Sequence, residues 1–185
     1  MSIKPILRTE ARARRADLAR AVPDFAARIA AHAAALEIPD GSLVAAYVAM
    51  GDEADPQLLL KALALRGCIF AFPRVVEKAR PLAFHRAMPG GELVRSAFGV
   101  PEPAPDWPIA HPKIFLVPLL AFDARGTRLG YGGGFYDRTL AATPGARAIG
   151  VAYAGQEMPA LPRMDYDRPL DAVVTENGIR RFHQT

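Results

Sequence analysis

The sequence predicts an α/β fold of three layers, with helices on both faces of a largely parallel central sheet, in a single domain spanning residues 1–185. Three observations carry this reading. Short apolar runs rich in Val, Ile, Phe and Ala alternate with helical patterns along the whole chain. No polar linker or low-complexity tract interrupts them. At 185 residues and 51% hydrophobic, the chain has the size and content to bury one sizeable core.

Ile3–Arg20 reads as an Arg-rich helix with Pro5 near its first turn, where a missing N–H costs little. Pro23–Glu37 reads as a second helix, since Phe25, Ile29, Ala33 and Leu36 recur at helical spacing. Ser42–Met50 is an apolar run with enough Val and Tyr for a buried strand. Asp55–Gly67 predicts a helix closed by Gly67, and Cys68–Pro73 a strand ended by its proline. Pro81–Met88 predicts a further strand. Lys113–Leu119, Ala146–Tyr153 and Asp171–Thr175 complete the buried strands, and another helix starts near Phe135.

Composition excludes several classes of function. The 23 basic and 19 acidic residues leave a net charge of +4, too small an excess for a dedicated nucleic-acid binder. One cysteine, Cys68, allows no internal disulfide and fits a reducing compartment. The opening MSIKPILRTEARARR lacks the apolar core of a secretory leader, and no apolar run approaches the roughly 18–20 residues that cross a bilayer. The expectation is a cytoplasmic monomer with neither nucleic-acid nor membrane partners.

The stretch RLGYGGGFYDR, Arg128–Arg138, carries the chemistry. It holds four glycines in five positions, together with three aromatics, two arginines and Asp137. It follows a predicted buried strand, and ligands of α/β sheets sit beyond the carboxyl ends of strands. The dinucleotide fingerprint G-x-G-x-x-G fails, because counting from Gly130 puts Phe135 at the last glycine; none of the four lysines follows a glycine as a P-loop requires. Backbone N–H groups, a following helix start and the two arginines nevertheless suit an anion. A carboxylate beside phosphates is repulsive unless a cation bridges them, so Asp137 points to Mg²⁺. On spacing alone, a tight glycine turn with surface charges explains the stretch as well.

Taken with its surroundings, VPLLAFDARGTRLGYGGGFYDR resembles the signature of the 5-formyltetrahydrofolate cyclo-ligase family. KPILR resembles that family's N-terminal K-x-x-x-R, GDEADPQLLLKAL its acidic segment before a helix, FGVPEP its G-x-x-E-P element, and LPRMDYDRPLDAVVTE its C-terminal element. The resemblance implies an enzyme that uses ATP and Mg²⁺ to turn 5-formyltetrahydrofolate into 5,10-methenyltetrahydrofolate, ADP and phosphate, with reduced folate and ATP as its small-molecule partners.

It also implies roles for single residues. Lys4, Pro5, Ile6, Leu7 and Arg8 match the N-terminal ATP contacts; a solvated basic helix is the alternative for the two charges, which lie four apart on one face. Arg128, Leu129, Gly130, Tyr131, Gly132, Gly133, Gly134, Phe135 and Tyr136 match the phosphate-cradling loop, with Tyr131 through Phe135 also touching folate. Arg128, Tyr136 and Glu53 are the implied catalytic set. Glu53 and Val48 match folate contacts, and Asp137 and Asp167 match Mg²⁺ ligands, with Asp165 a rival to Asp167.

Other residues take plainer readings. Cys68 belongs in the core. His32, His85, His111 and His183 have no ligand-like spacing. Trp107 either stacks on a folate ring or anchors a proline-rich loop, and Arg12, Arg14 and Arg15 either reach ATP or form a solvated helix face, the commoner explanation, and are left out of the candidate site. Two positions depart from the family pattern: Pro56 stands where many members have threonine, and Gly133 where a basic residue is frequent. Rival functions are a related MgATP-dependent ligase acting on another small molecule, and a non-catalytic folate or nucleotide sensor.

Overall fold

A computed structural model describes residues 3–88, 91–95 and 101–182. The first half of the chain forms α1 (Lys4–Ala21), α2 (Phe25–Ala31), β1 (Leu43–Ala45), α3 (Gln57–Ala64), β2 (Ile69–Arg74), β3 (Ala83–Arg86) and β4 (Val94–Arg95). The second half forms β5 (Pro101–Glu102), β6 (Ile109–Ala110), β7 (Ile114–Pro118), β8 (Ala121–Phe122), β9 (Arg128–Leu129), α4 (Phe135–Ala141), β10 (Arg147–Val151), β11 (Ala172–Thr175) and β12 (Gly178–Arg181).

The main sheet has the order β12-β11-β10-β7-β1-β2-β3-β6. Its five central strands, β11 to β2, are parallel, and β12, β3 and β6 add antiparallel edges. Side chains alternate between the two faces, as the pleat requires. Val44, Phe70, Phe72, Leu116, Ile149 and Val174 pack with Phe25, Ile29, Leu59 and Leu63 of α2 and α3. Ala45, Ala71, Phe115, Val117, Ala148 and Val173 face the other way, toward Leu140 of α4. This is the three-layer α/β/α arrangement predicted. Among the described residues no helix is long and apolar enough to cross a membrane.

The second helix departs from the prediction. It stops at Ala31, a short 3₁₀ turn covers Ala34–Leu36, and Glu37 turns left-handed at φ 54°. The spacing was real, because Ala33 and Leu36 are buried, but the chain must unwind to feed Ile38 and Val44 into the core. Arginines satisfy the carbonyls that this releases. Arg66 donates to Ala33 and Ile38, Arg147 to Leu36 and Glu37, and Arg181 to Ala35, at 2.6–3.1 Å.

The predicted strand Ser42–Met50 is likewise shorter, pairing only over Leu43–Ala45, after which the chain leaves the sheet to form a cleft wall. Asp55 Oδ1 accepts the Gln57 N–H at 2.9 Å, so a neighbouring carboxylate serves α3's first turn where Pro56 has no capping side chain. Phe98–Val100 of FGVPEP, and His183, lie outside the described residues.

Candidate active site

The carboxyl ends of β1, β2 and β7 open into a cleft of about 300 Å³. Tyr47 and Val48 beyond β1, Phe72 and Pro73 in β2, and Pro118 at the end of β7 line it. The glycine stretch forms the facing wall. It is aimed there by the β8–β9 hairpin, whose turn is built around buried Asp123: Oδ1 accepts the N–H groups of Arg125 and Thr127 at 2.9 and 3.0 Å, and Oδ2 accepts that of Leu161 at 3.1 Å. Gly132 (φ 103°) and Gly134 (φ 64°) then take left-handed conformations that a side chain would strain, and Gly134 starts α4.

Cations converge on this wall. Arg8 Nε donates to the Gly130 carbonyl at 2.9 Å, and Lys4 Nζ lies 2.6 Å from Asp167 Oδ2. Arg128 Nη2 lies 2.6 Å from Asp137 Oδ1, which also accepts the Arg168 N–H at 3.0 Å. The Arg128 side chain is only 5% exposed, and its Nε is buried without a hydrogen-bond partner among the described residues. Burial lowers its pKa from the usual arginine value, opposed by the charge of Asp137.

The opposite side is apolar, with Val48, Met50, Phe72 and Leu82 on its surface. Glu102 and Glu53 are the carboxylates on it, and Glu53 is the one joined to the glycine loop. Its Oε2 accepts the Met50 N–H at 2.9 Å, and its Oε1 accepts the Tyr131 hydroxyl. Arg15 donates to the same hydroxyl oxygen and lies 3.9 Å from Glu53 Oε1, so the three side chains form one chain of donors and acceptors. Burial first, then the Glu53 carboxylate, pushes the Tyr131 phenol well above its ordinary pKa. Tyr136 is raised in the same order of causes, and its hydroxyl is buried with no partner among the described residues. Tyr47, also raised by burial, donates its hydroxyl to the Ala54 carbonyl.

Lys4, Arg8, Val48, Glu53, Arg128 through Asp137, and Asp167 all line this cleft. Pro5, Ile6 and Leu7 do not. Pro5 and Ile6 are exposed and Leu7 packs beside Ala11 and Leu129, because a helix can turn only one stripe to the cleft. Asp165 is exposed and outside the lining, whereas Asp167 is within it.

The sequence reading set Arg15 aside in favour of a solvated helix face, but it is 8% exposed. Its signal was present: Lys4, Arg8, Ala11 and Arg15 follow the i, i+4, i+7, i+11 spacing of one helical face. Arg14 is exposed, and Arg12 is exposed with its guanidinium 5.8 Å from the Tyr131 ring centre. Trp107 anchors its loop instead of lining the cleft; its N–H reaches the Ala104 carbonyl at 3.1 Å, and its carbonyl lies 2.7 Å from His85 Nδ1. Cys68 is buried in the core.

Among the described residues no group of three or more His, Cys, Asp and Glu side chains could hold a metal. Asp137 and Asp167 still suit Mg²⁺, a hard cation that commonly takes one or two carboxylates and completes its shell with water and phosphate oxygens. Both carboxylates already hold cations and face the same cleft.

A cleft at the carboxyl ends of a parallel sheet, cationic and glycine-rich on one wall and apolar on the other, defines an enzyme acting on a small organic molecule beside an anion. The model of the 5-formyltetrahydrofolate cyclo-ligase family matches residues 1–176. The chain is 37% identical over 151 residues to the 5-formyltetrahydrofolate cyclo-ligase of Mycolicibacterium smegmatis, covering 75% of this chain and 76% of that one. It is 35% identical over 143 residues to that of Escherichia coli, covering 74% and 79%. The solved 5,10-methenyltetrahydrofolate synthetase of Aquifex aeolicus superposes with a TM-score of 0.78 at 28% identity, over 100% of this chain and 95% of that one. The chain belongs to the 5-formyltetrahydrofolate cyclo-ligase family.

Proposed function

We propose that the protein converts 5-formyltetrahydrofolate to 5,10-methenyltetrahydrofolate, consuming ATP with Mg²⁺ and releasing ADP and phosphate. The observation that carries this reading is the shared cleft, in which a cationic glycine loop faces an apolar wall that carries the oriented carboxylate of Glu53. The chemistry needs both walls. A formyl group on N5 is an amide whose oxygen leaves poorly. Transfer of the ATP γ-phosphoryl to that oxygen makes it a leaving group. N10 of the same molecule then attacks the formyl carbon, the C–O bond breaks, phosphate departs and the N10 proton is lost.

Each wall has its task. Lys4, Arg8 and Arg128, with the N–H groups of the loop, hold the phosphates, and the buried Arg128 Nε is an uncommitted donor for the charge in transfer. Asp137 and Asp167 would hold Mg²⁺, which neutralises and orients phosphate oxygens. Glu53, held by the Met50 N–H and the Tyr131 hydroxyl, orients the N10 side. Fixing both nitrogens in one bound molecule replaces much of the entropic barrier, and the apolar wall keeps water from the activated intermediate.

The test is ADP release with and without 5-formyltetrahydrofolate, followed beside the methenyl absorbance. The two signals should rise together and require ATP and Mg²⁺. Methenyl product formed at the same rate without ATP overturns the proposal, and ADP release coupled to a different small molecule would favour the related-ligase alternative.

A further inference from the structure

Glu102 ends β5 on the cleft wall and is 2% exposed. Its Oε1 accepts the Val75 N–H at 3.0 Å. The backbone beside it is held by Arg74, which donates to the Pro103 carbonyl at 2.6 Å. Its Oε2 is buried and has no hydrogen-bond partner among the described residues. The neighbouring lining is apolar: Phe72, Pro73, Val75, Leu82 and Pro101. Burying a carboxylate oxygen with no donor is costly, and such groups in native structures ask for a partner.

The chemistry of that partner is constrained. A carboxylate accepts and does not donate, so an anionic group is repelled and an N–H group is welcomed. With Oε2 open and a second lone pair left on Oε1, the carboxylate matches a planar edge that carries two parallel N–H donors. We propose that Glu102 binds the amino-pyrimidinone edge of the substrate's ring, accepting its ring N–H and its exocyclic amino group. This deepens the reduced-folate reading and rests on it, since a pterin presents that edge. It also gives a role to the Glu-Pro of FGVPEP, which the phosphate chemistry leaves unused.

A guanine base carries the same pair of donors, so the test separates the two sources. Binding of 5-formyltetrahydrofolate, its 2-desamino-2-methyl analogue, ATP and GTP is measured calorimetrically on the wild-type protein and on Glu102→Gln. The glutamine must still accept from Val75, which turns its NH₂ into the cleft against the ring's donors. The parent folate should weaken by about 10- to 100-fold in the variant, as loss of charge-assisted hydrogen bonds implies. The analogue keeps the ring N–H and loses only the amino donor, so it should bind the wild-type protein more weakly than the parent does and lose less than the parent in the variant; ATP should be unaffected.

Equal affinity of the parent for both proteins overturns the inference, as does equal weakening of parent and analogue. A loss confined to GTP assigns the carboxylate to a nucleotide base and overturns it too. The comparison of two ligands on the wild-type protein needs no variant, so poor folding of Glu102→Gln does not remove the test: equal wild-type affinity for both ligands overturns the inference by itself. Turnover is scored separately. The expected affinity pattern without methenyl product faults only the proposed reaction, and normal turnover with a flat pattern faults only Glu102. A wild-type protein that binds neither folate overturns both.

Discussion

At the scale of single residues, the cleft holds groups whose present partners are not those catalysis would give them. Asp137 neutralises Arg128, and Asp167 neutralises Lys4. Bound MgATP would exchange these pairs, with metal meeting the carboxylates and phosphate meeting the cations. Asp137→Asn keeps the shape and one acceptor for Arg128 but loses the charge. Turnover should fall by about 100-fold or more, in the range that loss of electrostatic stabilisation produces, while folate binding measured in parallel persists. Near-normal turnover at low Mg²⁺ would reduce Asp137 to a helix-start residue.

Tyr136 gives the opposite balance, because its hydroxyl is buried with no partner among the described residues. Tyr136→Phe removes an unsatisfied group, so stability at pH 7 should hold or rise by about 1 kcal/mol while turnover drops. Its pKa is raised by burial, so its ionisation leaves stability unchanged below about pH 10 and lowers it as pH rises beyond that, where the unfolded chain ionises first. Melting curves at neutral and alkaline pH should show a shallower alkaline loss in the phenylalanine variant.

Elements explain how much of this was legible in the sequence. Central strands and helices were readable because their apolar runs are continuous and their periodicity is strong: Lys113–Leu119 contains β7, and Phe135 begins α4. What escaped was set by tertiary structure. β4, β5, β6, β8 and β9 are two residues each and leave no periodic trace, and the second helix unwinds where arginines distant in sequence take its carbonyls. The site followed the same rule. The glycine loop announced itself by composition and Arg15 by its place on the Lys4–Arg8 face of the helix, whereas Glu102 stands out only once its burial is known.

Loop and helix meet at Gly134, whose φ of 64° begins α4. Gly134→Ala should cost about 1–2 kcal/mol, the penalty for a left-handed alanine, and should also tilt Asp137 in the first turn. A fall in the midpoint of urea unfolding together with weaker Mg²⁺ dependence would show both effects. An unchanged midpoint would mean that the turn relaxes without strain.

The whole molecule joins distant parts of its chain at the cleft through α1. This helix has 18 residues, and only Ala11 and Arg15 among them are buried. Much of its hold on the cleft is polar: Lys4 to Asp167, Arg8 to the Gly130 carbonyl, and Arg15 to Tyr131. An element with few buried apolar residues opens at lower free energy than the core beneath it. A ligand that contacts it in the folded state stabilises it by mass action, by about 2.7 kcal/mol at a hundredfold excess over Kd. MgATP should therefore slow amide exchange across Lys4–Ala21 more than across β7 or β10, whose amides already exchange through larger openings. Lys4→Ala with Arg8→Ala removes two of the three polar links and both proposed phosphate contacts, so this protection should disappear while exchange in β7 and β10 stays as in the wild-type chain. Hydrogen exchange read by mass spectrometry decides it: protection of α1 by MgATP that survives in the double variant would separate the helix from the nucleotide site.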